Sequence, residues 1–264
     1  LPNEDSLGTP AGRPKHELIN IAIIKYPNAI NVSDFDSLLQ ASDALNAYYV
    51  TVTNRLLNAD LILLPSSRDI VGDLQWLYEN KIADRIRRLN AKGKPVIGVC
   101  EGFAMMCNKI NVDSSKYDGL GLLDTIVYGD RKVSGSVKAK LSNKAAISVD
   151  GILEAYLRED YRVVNGRNAM PLLRVVSLNG KDRSFSEGSV SSDGLALGCC
   201  LHGLFDTPYF RNKIIEFLSR KKGVKAAPHG LDAINFWDKQ IQRFSDMVKD
   251  NIDMHQIRKL AGLG

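Results

Sequence analysis

A cysteine between small residues marks the point where a strand pattern gives way to a helix pattern. Cys100 lies in the pentapeptide GVCEG, residues 98–102, between the apolar run PVIGV and the segment EGFAMM. A nucleophile flanked by small residues at a strand-to-helix turn is typical of a nucleophile elbow. The start of a helix lowers a thiol pKa, and backbone N–H groups at the turn can bind an oxyanion. We predict that Cys100 is a nucleophile.

A thiol nucleophile needs a base, and the chain has only four histidines. His202 follows the apolar run LALGCCL and precedes a glycine, so a strand end would present it to the same crevice as Cys100. The other three lie in polar or terminal segments, at His16, His229 and His255. We predict a Cys100–His202 pair. The alternatives are a structural histidine at a strand edge and a buried, inert thiol, the role expected of Cys107, Cys199 and Cys200.

The first half of the chain alternates strand and helix patterns. Short apolar runs at 19–24, 60–65 and 95–99 and the run AYYVTVT at 47–53 predict strands. Between them, helical spacing predicts helices over 34–46, capped by Ser33 or Asp34, and over 70–90. This alternation predicts an α/β fold with a mostly parallel sheet and helices on both faces. The functional crevice of such sheets lies at the carboxyl ends of the strands, where Cys100 falls.

The second half of the chain has a different pattern of predicted elements. Runs such as SVKAKL, LLRVVSL and LALGCCL predict strands with antiparallel pairing, and the polar segment 179–194 predicts a loop. A helix is expected over 209–221. Apolar residues at helical spacing then predict an amphipathic helix that packs on an apolar surface; they are Ile234, Trp237, Ile241, Phe244 and Val248. We therefore divide the chain into a linker (1–18), a catalytic domain (19–221) and a helical tail packed on that domain (222–264).

Composition excludes several classes of protein. The 264 residues are 44% hydrophobic and 25% charged, typical of a globular protein. The net charge of +5 comes from residues 211–264, with 11 basic and 6 acidic residues, so we expect no nucleic-acid partner. No apolar run reaches the roughly 18 residues of a membrane span, and no signal peptide is visible. Four cysteines without CxxC spacing predict neither a disulfide scaffold nor a metal site. We expect a cytoplasmic protein or, if the chain is processed, one of the mitochondrial or another organelle matrix.

Several segments together resemble a known family. They are INIAIIKYPNAINVSDFDSLL, ADLILLPSSRDIVGDLQWL, PVIGVCEGFAMM, DGLGLLD, LGCCLHGLFDTPYFRNKIIEFL and NFWDKQIQRFSDMVKDNIDMHQIRKLAG. Over nearly its whole length the chain resembles the C-terminal glutamine amidotransferase domain of the cobyric acid synthases, a branch of the class I glutamine amidotransferases. The resemblance implies a flavodoxin-like fold with an antiparallel extension.

The resemblance also implies roles and partners. Cys100 would attack glutamine and His202 would act as its base, with Ser66, Glu101, Gly102 and Phe103 around the oxyanion and the substrate. The released ammonia would pass to an ATP-dependent synthetase domain or subunit, which amidates corrinoid carboxylates in cobalamin biosynthesis. The chain has no GxxxxGK[ST] phosphate loop. We expect no cofactor in this chain, with ATP and Mg²⁺ on the synthetase.

The chain departs from the family pattern around the nucleophile. Ser66 replaces a glycine, and a serine adopts positive φ only at a cost. Glu101 also replaces a glycine, and an inward-pointing carboxylate would oppose ionisation of the thiol. Ala104 replaces a glutamine expected to line the glutamine site. The segment GILEAYLRE, residues 151–159, stands where the family has a histidine-containing segment.

One further position sets this branch apart from other class I enzymes. Leu204 occupies the place two residues after the histidine where many relatives have an acid, so the resemblance implies a Cys–His dyad. Asp206 is predicted to cap the following helix rather than to orient the imidazole.

Two alternatives to the glutaminase remain open. One is a degenerate homologue that serves as a structural subunit of a larger assembly. The other is a glutaminase subunit for another acceptor, such as lipid II, which the LHGLFD and IDM segments oppose.

Overall fold

The computed structural model describes residues 13–141, 151–159, 161–228 and 233–262. The chain divides between residues 229 and 230 into two compact units. The strands of the first unit are β1 Ile19–Ile24, β2 Ala29–Ile30, β3 Leu45–Val50, β4 Leu61–Leu64, β5 Ser66–Ser67, β6 Val96–Val99, β7 Cys107–Val112, β8 Ser115–Asp118, β9 Leu123–Tyr128, β10 Val133–Leu141, β11 Ile152–Glu159, β12 Arg162–Asn165, β13 Ala169–Met170, β14 Leu173–Leu178, β15 Lys181–Glu187, β16 Ser189–Ser191, β17 Ala196–Cys199 and β18 Leu201–His202.

The α-helices are divided between the two units. The α-helices are α1 Asp36–Leu39, α2 Ile70–Glu79, α3 Ile82–Ala91, α4 Glu101–Met106 and α5 Pro208–Lys222, followed in the second unit by α6 Ala233–Asn251 and α7 Met254–Leu260. Short 3-10 helices span Val32–Phe35, Thr53–Leu56 and Leu204–Asp206. In the described residues, none of these helices combines the length and the apolar character that a membrane span requires.

A seven-stranded sheet forms the centre of the first unit, in the order β13-β16-β17-β6-β4-β1-β3. The five strands from β17 to β3 run parallel, and β16 and β13 extend the sheet in antiparallel pairing. Strands β1, β4 and β6 are buried along their whole length, which explains why their sequences are uniformly apolar. The predicted α/β class, with a mostly parallel sheet and an antiparallel extension, is confirmed.

Two antiparallel-rich sheets flank this centre. One has the order β15-β14-β10-β11-β18, and the other has the order β12-β9-β7-β8, in which β7 and β9 are parallel. Strand β18 is only two residues long, and it pairs with β11 at the edge of its sheet. Because β17 and β18 are separated only by Cys200, the chain passes directly from the central sheet to the sheet that carries His202.

Two predicted helices are wrong in extent. The helix expected over 34–46 is one 3-10 turn followed by the four-residue α1, and Leu45 already belongs to β3. The Ser42 hydroxyl accepts a hydrogen bond from the Ala44 N–H, a local bond that competes with continued helix. The helix expected over 70–90 breaks into α2 and α3 at Lys81, which has a left-handed φ of 58°. The Asn80 amide caps the Trp76 carbonyl at this break.

The loop expected over 179–194 is also wrong, because the segment forms β15 and β16. Asn179 and Gly180 both have positive φ, 50° and 74°. This conformation is typical of a two-residue hairpin turn, and it returns the chain along β14. Most of β15 is exposed at the sheet edge, so its polar composition suits an edge strand.

The second unit confirms that the tail is helical. Along the described part of α6 and α7, several apolar side chains are exposed; these include Ile241, Phe244, Met247 and Leu260, and Ile252 between the two helices is exposed as well. The predicted packing of the tail on the domain stays a prediction, as do the predicted domain boundaries. Of the predicted linker, residues 13–18 are described. The backbone carbonyls of Arg13 and Lys15 accept hydrogen bonds from Asn46 and Asn20 beside β1.

Candidate active site at the carboxyl ends of the parallel strands

The backbone around Cys100 has the geometry of a nucleophile elbow. Cys100 lies between β6 and α4 with φ 50° and ψ −115°, an unusual conformation for a residue with a side chain. A Cβ atom on Gly102 would lie 2.2 Å from the Leu64 carbonyl oxygen, and one on Gly98 would lie 2.7 Å from Gly102 backbone atoms. The small residues that the sequence places on both sides of Cys100 are therefore required by close backbone contacts.

The structure brings Cys100 and His202 together. The Cys100 Sγ lies 3.2 Å from the His202 Nε2, although 102 residues separate them in the chain. The strand register explains the meeting. Cys199 of β17 lies beside Val99 of β6 in parallel pairing, and the Cys100 N–H donates to the Cys199 carbonyl at 2.9 Å. Cys100 therefore follows β6 at the place where Cys200 follows β17, and His202 comes two residues after Cys200.

An acidic residue that the sequence did not identify completes the cluster. The His202 Nδ1 lies 2.7 Å from Asp34 Oδ2, and both side chains are largely buried. Asp34 was predicted only as one of two possible helix caps, and that prediction is wrong, because its carboxylate is bonded to the imidazole. The sequence signal is weak, since a single aspartate 168 residues before the histidine cannot be paired with it without the fold.

Asp206 does not cap a helix. The residue at the N-cap of α5 is Thr207, which makes no capping bond through its side chain. The Asp206 carboxylate instead accepts a hydrogen bond from the Ser37 hydroxyl, and its backbone carbonyl accepts one from Arg211 Nη1 at 3.3 Å. The prediction of an N-cap is wrong, because Asp206 lies in the 3-10 turn before α5 and faces the segment that contains α1.

The surroundings of Cys100 favour its thiolate. A hydrogen bond from Cys200 lowers the pKa of Cys100 most, burial raises it, the hydrogen bond and charge of His202 lower it, and the charge of Glu101 raises it slightly. The net effect is a pKa below the usual value of a thiol. Burial raises the pKa of Cys107, Cys199 and Cys200, with the bond to Cys100 adding to this effect at Cys200.

The surroundings of His202 favour the imidazolium. Burial lowers the pKa of His202, but the hydrogen bonds to Asp34 and Cys100 and the charges of both outweigh burial and raise the pKa to about 10. The lowered pKa of Cys100 and the raised pKa of His202 both act in favour of a thiolate in contact with an imidazolium. Such a pair holds both a nucleophile and a proton for a leaving group.

The residues predicted around the oxyanion lie on two sides of the elbow. Ser66 is buried in β5 and is extended, paired with Ile30 of β2. The expectation that this position needs positive φ is therefore wrong. Gly102 is buried against the Leu64 and Pro65 carbonyls. The ring of Phe103 is completely buried and touches Gly198, so it packs in the core. The binding roles predicted for these residues stay predictions.

Glu101 is turned toward the Ser66–Ser67 strand. Its Oε2 accepts a hydrogen bond from the Ser66 hydroxyl and another from the Ser67 N–H at 3.2 Å. On the other side of this strand, the buried Asp73 carboxylate accepts a hydrogen bond from the Ser67 hydroxyl at 2.6 Å. The Tyr26 hydroxyl donates to the Pro65 carbonyl just before it. These bonds fix the β4–β5 turn beside Cys100.

The remaining departures from the family pattern lie close by. Ala104 is completely buried in α4. The segment GILEAYLRE is mostly β11, and Tyr156 of this strand is the direct neighbour of His202 in the antiparallel pair with β18. Tyr156 is about half exposed, so a tyrosine ring lies at the open side of the histidine. This segment therefore borders the site although it contains no histidine.

Two of the other three histidines lie elsewhere in the described chain. His16 is exposed before the amino end of β1, opposite the edge where Cys100 lies, and His255 is exposed in α7 of the second unit. His229 lies outside the described residues. Within the described ranges, no group of three or more His, Cys, Asp or Glu side chains is placed to hold a metal ion.

Comparison with known proteins identifies the family of this chain. The family model of the CobB/CobQ-like glutamine amidotransferase domain matches residues 20–210. Cobyric acid synthase of Yersinia enterocolitica is 31% identical over 279 residues, which cover 98% of this chain and 53% of that protein. Cobyric acid synthase of Photorhabdus laumondii is 29% identical over 274 residues, covering 97% and 52%. The chain spans about half the length of these curated relatives.

A solved structure supports the fold. PurLQS from Thermotoga maritima has a chain that superimposes with a TM-score of 0.59 at 18% identity, covering 76% of this chain and 99% of that one. The family model, in turn, begins within β1 and ends within α5, so its match lies in the unit that contains the parallel sheet. From its match over residues 20–210, this chain belongs to the CobB/CobQ-like glutamine amidotransferase domain family.

Proposed function

We propose that this domain is a glutaminase that supplies ammonia to an ATP-dependent synthetase. The observation that carries the proposal is the 3.2 Å contact between Cys100 Sγ and His202 Nε2 at the carboxyl ends of the parallel strands. A nucleophile at an elbow and a base within hydrogen-bonding distance are the minimum that amide hydrolysis through a thioester requires.

The reaction would proceed in two halves. The Cys100 thiolate attacks the side-chain amide carbon of glutamine, and backbone N–H groups of the elbow stabilise the oxyanion. The C–N bond breaks as His202 gives its proton to the departing nitrogen, which leaves as ammonia, with a γ-glutamyl thioester on Cys100. Water then attacks the thioester, His202 takes a proton from it, and glutamate leaves with the thiolate restored.

The ammonia would be used by a synthetase domain or subunit. The similarity to cobyric acid synthases supports a corrinoid carboxylate as the acceptor, in cobalamin biosynthesis. Amidation of a carboxylate consumes ATP, and we assign ATP and Mg²⁺ to that partner because this sequence has no GxxxxGK[ST] loop. The segments LHGLFD and NIDMHQ favour this acceptor over the lipid II alternative.

A degenerate scaffold is the second candidate, and one contact favours it. The Glu101 carboxylate accepts a hydrogen bond from the Ser67 N–H. This N–H is then not available to donate to an oxygen of a bound glutamine. On this hypothesis the domain keeps the fold as a structural subunit of a larger assembly and does not hydrolyse glutamine.

The test is release of glutamate from glutamine, with and without the synthetase partner. We expect activity that Cys100→Ala abolishes and that Cys107→Ala preserves, because the Cys107 thiol is buried and bonds to the Phe103 carbonyl. Labelling of Cys100 by a glutamine-like electrophile is the second measurement. An absence of both glutamate and label under either condition would favour the scaffold.

A further inference from the structure

The carboxylate of Asp34 holds two groups of the His202 segment at once. Its Oδ2 lies 2.7 Å from the imidazole Nδ1, and its Oδ1 accepts the Gly203 N–H at 3.3 Å. The Asp34 side chain is 12% exposed and the His202 side chain 18%, so water competes little for these bonds. One carboxylate therefore fixes both the ring and the backbone that follows it.

We propose that Asp34 is the positioning residue of His202 and that the site acts as a Cys100–His202–Asp34 triad rather than as a dyad. The proposal rests on the glutaminase function for its effect on catalysis. In this role Asp34 replaces the acid that many class I relatives carry two residues after the histidine. Leu204 fills that position here, and its side chain is buried.

The hydrogen-bond directions support this role. An ionised carboxylate only accepts hydrogen bonds, so the Nδ1 of His202 must donate to Asp34. With Nδ1 carrying a proton, Nε2 is the nitrogen that exchanges a proton with Cys100 and with the substrate. Without the carboxylate, the ring could adopt the other tautomer or turn away from the sulfur. The proton that takes part in the reaction would move only at Nε2.

The local fold holds Asp34 in place. It lies in the 3-10 turn Val32–Phe35, which begins after Asn31, a residue with left-handed φ of 51°. Val32 and Phe35 on either side are buried, and the Phe35 ring packs edge-on against Phe205 at 5.6 Å. Phe205 belongs to the turn that follows His202. The two segments are thus joined by an apolar contact as well as by the carboxylate.

Other titratable groups surround the triad. The groups that act on His202 are Asp34 and Cys100, and those that act on Cys100 also include Cys200 and Glu101. Behind Asp34 lie two more carboxyls. Burial raises the pKa of Asp36, with added effects of Asp206 and Asp34, and burial also raises the pKa of Asp206. Asp206 faces Ser37, so Asp34 is the carboxylate bonded to the ring.

The test compares Asp34→Asn and Asp34→Glu with Asp206→Asn in the full chain, after thermal denaturation has established that each variant is folded. Asparagine keeps the size of Asp34 but removes its charge. With glutamine as substrate, we expect Asp34→Asn to lower kcat by about 10²-fold or more, with KM changed much less. We expect Asp34→Glu to restore part of kcat and Asp206→Asn to stay near the wild type.

Two measurements do not depend on glutaminase activity. The first is the ring-nitrogen NMR titration of His202, in which wild type should titrate far above the ordinary value and Asp34→Asn should titrate at lower pH. The second is the pH profile of Cys100 alkylation by iodoacetamide, which should move to higher pH in Asp34→Asn. If the wild type releases no glutamate while both profiles shift as expected, the glutaminase proposal fails and the triad stands.

The triad itself can be overturned. It fails if His202 of the wild type titrates near pH 6.5, a result that needs no variant. It also fails if folded Asp34→Asn gives the wild-type NMR and alkylation profiles, or if Asp206→Asn changes them as much as Asp34→Asn does. Loss of kcat without any change in these profiles would assign Asp34 a structural role only.

Discussion

Glu101 Oε2 lies 3.2 Å from the backbone nitrogen of Ser67, so the residue after the nucleophile is tied to the turn after β4. The Ser66 hydroxyl donates to the same oxygen. The carboxylate therefore supports the wall of the site, and at the same time its negative charge raises the pKa of Cys100 to a small extent. A glutamine at this position would keep an oxygen that accepts hydrogen bonds but would lack the charge.

We expect Glu101→Gln to move the pH midpoint of Cys100 alkylation to lower values, because removal of a nearby negative charge favours the thiolate. The measurement is the iodoacetamide rate of each protein between pH 5 and 10. Glu79→Gln is the matched control, since Glu79 pairs with Gln75 on the exposed face of α2. A midpoint that rises or stays constant in Glu101→Gln would show that the charge does not act on the thiol.

Cys200 supplies the next prediction. Its hydrogen bond is the largest influence that lowers the pKa of Cys100. We expect Cys200→Ala to shift the alkylation midpoint to higher pH, because the thiolate loses a donor. Cys200→Ser should shift it less, because a hydroxyl can still donate.

Cys107→Ala is the control for the cysteine series. Cys107 is equally buried, but its thiol bonds to the Phe103 carbonyl rather than to Cys100. Equal shifts in Cys107→Ala and Cys200→Ala would contradict the specific bond, since they would point to a general loosening of the core. A Cys200→Ala profile identical to wild type would contradict it as well.

The sequence predicts the central fold well for a local reason. Strands β1, β4 and β6 are buried on both faces, so their apolar runs identify them without further context. The elbow is visible in the sequence because small residues lie within two positions of Cys100, although the contact that restricts Gly102 is with the distant backbone of Leu64 and Pro65. The apolar runs and the small residues around Cys100 are patterns of neighbouring residues, so the sequence alone can show them.

Features that depend on distant partners escape such a reading. The polar segment that forms β15 becomes a strand only because β14 offers it a partner. The break at Lys81 depends on a left-handed residue that has no glycine to mark it. The largest omission is Asp34, whose role depends on a contact across 168 residues. The family resemblance did not reveal it, because the resemblance implies a Cys–His dyad without an acid.

Gly102 provides a prediction about stability. A Cβ atom there would lie 2.2 Å from the Leu64 oxygen and 2.4 Å from the Pro65 oxygen, and both are backbone atoms. We expect Gly102→Ala to lower the free energy of unfolding by about 1–3 kcal/mol or more, as overpacking does in cores. Denaturant titration measures this change.

Gly151→Ala is the matched control for that experiment. Its Cβ would meet only Tyr209 at 3.9 Å, an ordinary contact, and Gly151 does not have positive φ. We expect its free energy of unfolding to stay within about 0.5 kcal/mol of wild type. If Gly102→Ala proves as stable as Gly151→Ala, the backbone at the elbow can open without cost and the close contact does not restrict this position.

The pH dependence of glutamine hydrolysis follows from the two linked groups. Below the lowered pKa of Cys100 the sulfur is protonated, so activity should rise as the pH increases through that value, which lies below that of an ordinary thiol. Near pH 10 His202 loses the proton that the leaving nitrogen needs, so activity should fall there. We therefore expect a plateau of kcat/KM between the pKa of Cys100 and that of His202.

His202→Gln tests the effect of His202 on the Cys100 thiolate separately from its role as proton donor. Removing the imidazolium takes away the hydrogen bond and positive charge that stabilise the thiolate, so Cys100 alkylation should begin at higher pH than in wild type. Glutamine hydrolysis should fall at every pH, because the imidazole that protonates the departing amide nitrogen is gone. If His202→Gln keeps the wild-type alkylation profile, the sulfur and the ring do not form an ion pair, and the thiolate must be stabilised by Cys200 and the elbow alone.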